Sequence, residues 1–316
     1  MTAVEVVALT GGVGGAKLAL GLQRVLPPGA LACVVNTGDD FVHLGLHVSP
    51  DLDTTLYTLG DCENPEQGWG RRNETWTFMR VLAELGGESW FRLGDGDLAL
   101  HVERSRRLAA GEPLSSIMDH VRRRLGIASR LLPMSNEPVR TRVHTADAEL
   151  AFQEYFVRLR AVPEVQAIAF AGAAQARPAE GLGDALGSAR LRAIVICPSN
   201  PYLSIDPILA VPGLRAALRA RGVPIVAVSP LIGGRAVKGP TAKIMRELGV
   251  ETSNRAIADH YGDLIDGLVI DESDAAEELP RSLPAQIART LMRSLGDREA
   301  LARTTLEFAD RLQRRR

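Results

Sequence analysis

Four glycines near the start of the chain form a turn that could hold a phosphate group. They directly follow the apolar run 4–9 and are Gly11, Gly12, Gly14 and Gly15. Glycine lets the backbone approach a phosphate closely, and the first N–H groups of a following helix point toward it. The spacing is neither G-x-G-x-x-G, since Lys17 stands at the third glycine position, nor Walker A, since Leu18 follows that lysine. The turn favours phosphate binding, with a ligand-free tight turn as the alternative.

Acidic residues follow the second apolar run, 31–36, and could bind a metal ion or a substrate hydroxyl. They are Asp39, Asp40, Asp51 and Asp53. Mg²⁺ usually takes one or two carboxylates together with phosphate oxygens and waters. Ser49 and Pro50 fit the start of a helix, however, and a helix dipole also favours acids in its first turn. Spacing alone leaves both interpretations open.

Two further loops carry polar residues of interest. Ser199 and Asn200 follow the apolar run 192–198 and could donate to phosphate. Asp95 and Asp97 come shortly after Arg92, a pattern typical of a turn and a helix cap. The scattered histidines form no metal-like pair on a helix and are given no catalytic role; they include His43, His47 and His101.

Short apolar runs rich in β-branched residues predict the elements that position these loops. The predicted strands are 4–9, 31–36, 165–172, 192–198, 224–230 and 266–271, and helical patterns occupy 16–26, 213–221, 241–248 and 255–261. Strands that are continuously apolar are typical of a sheet covered by helices on both faces. The alternation predicts an α/β fold with a Rossmann-like, doubly wound, mostly parallel sheet. Ligands of such sheets bind at the C-terminal strand ends, where all these loops would meet.

Residues 61–160 interrupt the alternation and predict an inserted α+β subdomain that is mainly helical. Helical patterns cover 73–85, 98–110 and 113–125, and strand-like patterns cover 139–145 and 150–159. The Rossmann-like core then comprises 1–60 and 161–316, within one α/β unit spanning 1–316. The tail, 283–316, is predicted to be an amphipathic helix.

Composition excludes several classes of protein. The net charge of −1 gives no general attraction to nucleic acid or to anionic membranes. The three cysteines lie far apart and have no zinc-site spacing. No apolar run reaches membrane-spanning length, and the first residues lack the regions of a signal peptide. We therefore expect a cytoplasmic protein with neither a nucleic-acid nor a membrane partner.

Taken together, the motifs resemble those of the 2-phospho-L-lactate transferase family, called CofD in archaea and FbiA in actinobacteria. The shared blocks occur in the family's order and include GGVGGAK, VVNTGDD, SPDLDTTLYTLG, FRLGDGDLALH, PSNPYLSIDPILAVPG and VAVSPLIGG. The resemblance implies a Mg²⁺-dependent transferase of coenzyme F-420 biosynthesis. Its reaction would move a phospho-three-carbon-acid unit, phospholactate or phosphoenolpyruvate, from a guanylylated donor to the terminal ribityl hydroxyl of the deazaflavin Fo, releasing GMP.

The same resemblance implies roles for individual residues. Asp53 and Arg92 would bind Fo. On this basis we further expect Asp53 and Asp51 to be catalytic and Asp39, Asp40 or Asp51 to help hold Mg²⁺. The nucleotide and its diphosphate would lie against Gly11, Gly12, Gly14, Lys17, Ser199 and Asn200. We further expect a homodimer, and we expect Asp53→Asn to lower turnover while leaving folding intact.

Two other functions remain as alternatives. The main one is a CofD-like, nucleotide-sugar-binding regulator of the gluconeogenesis-factor type. The blocks SPDLDT and FRLGDGD favour the transferase, because they would build the acceptor site. A nicotinamide dehydrogenase is disfavoured by the glycine spacing. No motif distinguishes phospholactate, phosphoenolpyruvate and phosphoglycerate as the donated unit, although the Arg-rich composition suggests a bacterial source and with it phosphoenolpyruvate.

Overall fold

In the computed structural model, which describes residues 3–237 and 239–315, strands and helices alternate along much of the chain. The strands are β1 (Val6–Thr10), β2 (Leu31–Val35), β3 (Phe41–His43), β4 (Leu46–Val48), β5 (Arg130–Pro133), β6 (Arg140–His144), β7 (Glu149–Ala151), β8 (Ala167–Ala171), β9 (Ala193–Ile196), β10 (Ile225–Val228), β11 (Leu231–Ile232), β12 (Arg235–Ala236), β13 (Gly267–Asp271) and β14 (Ala285–Ala288). The α-helices are α1 (Gly12–Val25), α2 (Pro50–Leu59), α3 (Thr77–Glu84), α4 (Asp95–Ala109), α5 (Leu114–Arg124), α6 (Leu182–Leu186), α7 (Asp206–Leu209), α8 (Leu214–Arg219), α9 (Thr241–Glu247), α10 (Asn254–Tyr261) and α11 (Leu295–Gln313). No helix within the described residues is long and apolar enough to cross a membrane. The end residues of the predicted unit, 1, 2 and 316, lie outside the described residues.

Seven strands form one parallel sheet in the spatial order β14-β13-β10-β9-β1-β2-β5. Val6 of β1 pairs with Leu31 of β2 on one side and with Ala193 of β9 on the other. From β1 the chain builds outward to β5, and it then returns to the other side of β1 with β9. The strand order therefore reverses between β1 and β9, which makes this the switch point where open α/β sheets bind ligands. The predicted Rossmann-like, doubly wound α/β fold is confirmed.

The sheet separates two hydrophobic cores. On one face, Val6 and Ala8 belong to a core built with α1, α2 and α11. On the other face, Val7 and Leu9 belong to a core that includes residues of α8, α9 and α10. Because helices cover both faces, every residue of β1 is buried, which explains the continuous apolar runs in the sequence.

The range 61–160, predicted as an insertion, contributes to two sheets. It supplies α3, α4 and α5, and its strands β6 and β7 join β8 in a separate antiparallel sheet of three strands. Strand β5, by contrast, pairs in parallel with β2 at the edge of the main sheet. The main sheet therefore takes one strand from inside this range, and the boundaries 61–160 stay a prediction.

Three predicted segments differ from the structure. The run 165–172 is predicted as a parallel core strand, but β8 within it pairs antiparallel with β6 outside the main sheet. In the predicted strand 150–159, the strand ends at Ala151, and a π-helix follows at Glu154–Arg158. The tail 283–316 begins with β14, which pairs in parallel with β13, before helix α11. The three errors share one cause. A short apolar run predicts burial, but it neither distinguishes a strand from a helix nor sets the direction of a strand.

Candidate functional site

A cavity of ≈ 770 Å³ opens where the loops after β1, β9 and β10 meet, at the switch point of the sheet. Its volume lies in the range of small-molecule sites, roughly 300–1,000 Å³. We call one part of its surface the polar lining, which comprises Gly11, Gly12, Gly14, Lys17, Asp39, Asp51, Ser199 and Asn200. We call another part the aromatic lining, which comprises Trp69, Trp90, Phe91, Phe152 and Phe156. The cavity can therefore take a ligand that is both charged and planar.

The glycine turn and the loop after β9 pack closely against each other. The Gly11 N–H donates to Ser199 Oγ at 3.2 Å. A Cβ atom on Gly14 would lie 2.4 Å from the carbonyl oxygen of Pro198, closer than real Cβ atoms approach. Gly12, the first residue of α1, has a φ of +65°, which side-chain-bearing residues rarely adopt. Glycine is thus required at position 14 by the close approach of the two loops and at position 12 by its backbone conformation, in addition to any phosphate.

Asp51 connects the acidic loop to the glycine turn. Its Oδ1 accepts from the Gly12 N–H at 2.8 Å, and its Oδ2 accepts from Asn36 Nδ2 at 2.9 Å. Burial raises the pKa of Asp51 to about 6, and the neighbouring Asp40 carboxylate adds to the rise against these two hydrogen bonds. A carboxylate in a cavity with a pKa near neutrality is suited to accept a proton from a substrate hydroxyl.

Asp39 and Asp40 complete what we call the acidic cluster, which consists of Asp39, Asp40 and Asp51. Burial, together with Asp51, raises the pKa of Asp39 well above its usual range. Asp40 Oδ2 accepts from Ser49 Oγ at 2.8 Å and lies 3.1 Å from His47 Nε2. Oδ1 of Asp39 and Oδ1 of Asp40 are buried without a hydrogen-bond partner among the residues that the structure describes. Such buried carboxylate oxygens fit the hard oxygen donors that Mg²⁺ prefers.

Asp53 lies in the same turn of α2 but belongs to a different network. Arg104 of α4, a fully buried side chain, donates to both Asp53 oxygens at 2.9 Å each. Arg104 Nη2 also lies 3.0 Å from His101 Nδ1. Because a guanidinium can only donate, His101 Nδ1 must be the acceptor of this hydrogen bond. His101 Nε2 lies 3.2 Å from Asp97 Oδ2, without the alignment of a hydrogen bond, and the Tyr57 hydroxyl donates to Asp97 Oδ1. This network joins α2 to α4.

Part of that network has the donor atoms of a metal site. Asp53, Asp97 and His101 each place one ligand atom within 4.8 Å of the others, a set that is compatible with a divalent metal ion. The Arg104 guanidinium, however, already neutralises Asp53 through both of its oxygens. In the acidic cluster, Asp39 Oδ1 and Asp40 Oδ1 have no hydrogen-bond donor among the described residues, although Arg104 and Arg140 lie near enough to Asp40 to interact with its charge. The two groups of acids therefore differ in the carboxylate oxygens available to a metal.

Three polar residues of the lining could contact phosphate. Lys17 Nζ donates to the main-chain oxygen of Met292 at 3.1 Å. Asn200 Oδ1 accepts from the N–H groups of Tyr202 and Leu203, whereas its buried Nδ2 has no partner within residues 3–237 and 239–315. A buried amide donor that faces a ligand cavity can be satisfied by a phosphate oxygen. The Ser199 hydroxyl, which accepts from the glycine turn, keeps its own proton to donate.

Arg92 stands beside the aromatic lining. Its guanidinium lies 4.3 Å from the centroid of the Trp76 ring, a cation–π contact. The neighbouring Phe91 packs edge-on against Phe41, with ring centroids 4.8 Å apart. Of these residues Phe91 and Arg92 line the cavity, so this side offers a ligand an aromatic ring with a positive charge next to it.

Most of the predicted site residues meet at the cavity. Those that line it are Gly11, Gly12, Gly14, Lys17, Asp39, Asp51, Arg92, Ser199 and Asn200, and the lining leaves out Asp40 and Asp53. Sequence reasoning missed the aromatic lining and the buried Arg104. The available signals were the two rings four residues apart in FQEYF, and the helical spacing of Asp97, His101 and Arg104 on α4.

Known proteins similar to this chain give independent information. The family described as 2-phospho-L-lactate transferase CofD matches residues 6–304. A phosphoenolpyruvate transferase from Streptomyces griseus is 44% identical over 98% of this chain and 100% of its own length. One from Mycolicibacterium smegmatis is 39% identical, over 87% and 90% of the two chains. A crystal structure of a UPF0052-family protein from Bacillus halodurans has a TM-score of 0.63 at 16% identity, covering 97% of this chain and 99% of its own, and supports the fold alone.

Proposed function

This chain belongs to the 2-phospho-L-lactate transferase CofD family, and we propose that it transfers a phosphoenolpyruvate unit from a guanylylated donor to the deazaflavin Fo. The terminal ribityl hydroxyl of Fo attacks the phosphorus that carries the three-carbon acid. A new P–O bond forms, the bond to the GMP oxygen breaks, and the hydroxyl proton leaves. The observation that carries this proposal is the cavity at the switch point, where a polar lining for phosphate adjoins an aromatic lining for planar rings.

The donor assignment rests on the relatives. The Streptomyces and Mycolicibacterium proteins are named phosphoenolpyruvate transferases, and the family match covers most of the chain. These names also favour the transferase over the alternative of a nucleotide-sugar-binding regulator. Phospholactate and phosphoenolpyruvate differ by few atoms, so the donor must be tested directly.

The polar lining would hold the diphosphate of the donor. Phosphoryl transfer requires mainly positioning of the reactants and neutralisation of charge. Hydrogen-bond donors at this place are the N–H groups of the first turn of α1 after Gly12, whose own N–H is bonded to Asp51, the hydroxyl of Ser199, and Asn200 Nδ2, which has no partner among the described residues. Lys17 adds a positive charge to the same lining.

Asp51 would act on the attacking hydroxyl. Of the two acids in the first turn of α2, it is the one that lines the cavity. The family resemblance gives Asp53 a contact with Fo, but Asp53 is absent from the cavity lining and forms a bidentate ion pair with the buried Arg104 guanidinium, whereas the donors to Asp51 are an uncharged N–H and an amide. We therefore assign the contact with the reacting hydroxyl to Asp51, and we assign to Asp53 the positioning of the turn that carries Asp51. Arg92 would contact Fo from the aromatic side.

Asp39, Asp40 and Asp51 would hold Mg²⁺. The fit rests on the buried Oδ1 atoms of Asp39 and Asp40, which have no hydrogen-bond donor among the described residues, and on the proximity of Asp51 to both acids. When bound, the ion would neutralise charge on the phosphate groups of the donor. The proposal also includes a homodimer in the cytoplasm with small-molecule partners only; the net charge of −1 and the family resemblance support this part.

Product analysis tests the proposed function. The purified protein is incubated with Fo, GTP, Mg²⁺, the matching guanylyltransferase and one three-carbon phosphate at a time, and products are identified by mass spectrometry. We expect the phosphoenolpyruvate adduct of Fo to form fastest. A preference for the phospholactate adduct would overturn the donor assignment. No product with any donor, together with binding of a nucleotide sugar, would support the regulator instead.

A further inference from the structure

Phe152 and Phe156 form a stacked pair in the aromatic lining. Their rings are nearly parallel, at 9°, with centroids 5.4 Å apart. Phe152 is 7% exposed, whereas Phe156 is 37% exposed although it lines the cavity. Leaving a large aromatic ring partly in water forgoes hydrophobic stabilisation, so such a surface inside a cavity indicates a ligand that covers it.

A buried network holds this pair in place. Tyr155 lies between the two rings in sequence and is fully buried. Its hydroxyl accepts from Lys243 Nζ at 3.3 Å, and the same Nζ donates to the Pro163 carbonyl oxygen at 2.8 Å and to Glu247 at 2.7 Å. Helix α9, which carries Lys243 and Glu247, thereby holds the π-helix of Phe156. A ring fixed before binding loses little conformational entropy when a ligand stacks on it.

The pair also lies beside the acidic cluster. Gln153, the residue after Phe152, donates from Nε2 to the main-chain oxygen of Asp39 at 3.4 Å. Asp39 and Asp51 line the same cavity, and the acceptor hydroxyl has to reach these carboxylates to react. A planar group stacked on Phe156 is therefore better placed to be the ring system of the acceptor than the guanine of the donor.

We propose that Phe156, supported by Phe152, is the stacking surface for the planar ring of the acceptor and a determinant of acceptor specificity. The proposal rests on the proposed function, because it takes the deazaflavin as the acceptor. The enzyme would then select a planar polycyclic molecule with a hydroxylated side chain. The aromatic face holds the rings, and the acidic cluster receives the end of the chain.

Two substitutions at Phe156 test this assignment. Phe156→Ala removes the ring, and Phe156→Leu keeps an apolar side chain of similar size without an aromatic face. Phe78→Ala is the matched control, because Phe78 is 40% exposed on α3 and is absent from the cavity lining. Binding of Fo is measured from its fluorescence, binding of GMP by calorimetry, and turnover with Fo varied.

We expect Phe156→Ala to raise the Kd and KM for Fo about 5- to 150-fold, by analogy with stacking of nucleic-acid bases on aromatic side chains. Phe156→Leu should weaken Fo binding by a smaller factor. A third variant at this position, Phe156→Trp, keeps an aromatic face and should bind Fo about as well as the wild type, and Phe78→Ala should change nothing. The Kd for GMP should stay unchanged in every variant.

Unchanged Fo binding in both Phe156→Ala and Phe156→Leu would overturn the assignment. Weakened GMP binding with unchanged Fo binding would assign the surface to guanine instead. If the wild-type protein neither binds Fo nor forms the product, the proposed function itself is wrong, which is a different outcome from failure of the Phe156 assignment.

Discussion

Arg104 of α4 and Asp53 of α2 form a bidentate ion pair in the protein interior, with both N–O distances at 2.9 Å. Arg104 is fully buried and Asp53 is nearly so. Helix α2 carries Asp51 to the cavity, and α4 begins just after Arg92. The ion pair therefore connects α2, the helix that carries Asp51, to α4, the helix that follows Arg92.

Breaking this pair should destabilise the fold. Arg104→Met leaves the Asp53 carboxylate buried without its partner, which typically costs about 3–5 kcal/mol of unfolding free energy. Asp53→Asn leaves the Arg104 guanidinium buried without its partner. The sequence led us to expect that this variant folds normally, but from the structure we expect its stability to be reduced. Denaturant unfolding of the two single variants and the double variant measures the coupling. The double variant should lose less than the sum of the single losses.

Arg106→Met is the control on the same helix, because Arg106 forms an exposed pair with Glu103. Exposed pairs contribute little to stability, so this variant should unfold close to wild type. Strictly additive losses at positions 53 and 104 would contradict the coupling.

Gly14→Ala should separate the glycine turn from the loop after β9. The new Cβ would lie 2.4 Å from the Pro198 carbonyl oxygen, and backbone atoms must move to admit it. Overpacking of this kind costs about 1–3 kcal/mol. We expect a lower unfolding midpoint together with weaker GMP binding by calorimetry. Gly183→Ala is the control, since its Cβ would meet nothing within 4 Å; equal behaviour of the two variants would refute the prediction.

Glu137 should make stability depend on pH in the acid range. Hydrogen bonds from Ser135 Oγ and from the Arg177 N–H lower the pKa of Glu137 to about 2, from its ordinary value of 4.5. Because the pKa is lower in the folded state than in the unfolded state, the Glu137 carboxylate stabilises the fold. This stabilisation is fully present above pH 4.5 and is lost as the pH falls toward 2. Wild type should therefore melt above Glu137→Gln at neutral pH, and the gap should close on acidification. A Tm difference that is constant with pH would show that this carboxylate is not the cause.

The two groups of acids should respond differently to metal. Chelation should abolish turnover, and added Mg²⁺ should restore it, because two carboxylate oxygens of the acidic cluster, Asp39 Oδ1 and Asp40 Oδ1, have no hydrogen-bond donor within the described part of the chain. Asp40→Asn should raise the half-saturating Mg²⁺ concentration by at least about tenfold. Asp97→Asn should leave that concentration unchanged in the folded protein, since Arg104 supplies the cation beside Asp53. Mn²⁺ binding followed by electron paramagnetic resonance checks both; a larger effect from Asp97→Asn would place the metal in the other network.

The main sheet was predictable because its strands are buried on both faces. Continuous apolar runs such as 4–9 and 192–198 predict central strands, and both runs contain one. Strand β5 is not predictable in this way, since its four residues, Arg130–Pro133, carry little periodic signal. The run 165–172 shows the reverse problem, because its apolar residues pack in the smaller antiparallel sheet. Partner and direction of a strand are set by tertiary packing, which local composition does not record.

The part of the candidate site that could be predicted from the sequence consists of residue types with few alternative roles at a strand end. Glycines at a strand end and carboxylates in the next loop belong to the polar lining, as in Gly14 and Asp51. Aromatic residues such as Phe156 are more often part of a core, so their presence in a sequence does not indicate a cavity. Arg104 was missed for a related reason, because arginine on a helix is usually at the surface. Of the two neighbouring acids, Asp51 lines the cavity, whereas Asp53 is bonded to that buried arginine, a difference that the local sequence does not record.

The hydrogen bond between Gly11 and Ser199 spans 188 residues of sequence. A chain leaving the ribosome therefore carries the glycine turn long before the loop that must lie against it has been made. Closing so long a loop is entropically costly and comes late, as in other folds of high contact order. Nucleotide affinity should accordingly be absent from N-terminal fragments and arise only with the completed sheet. In the cell, donor binding would then stabilise finished molecules selectively, because a ligand that binds only the native state shifts the folding equilibrium toward it.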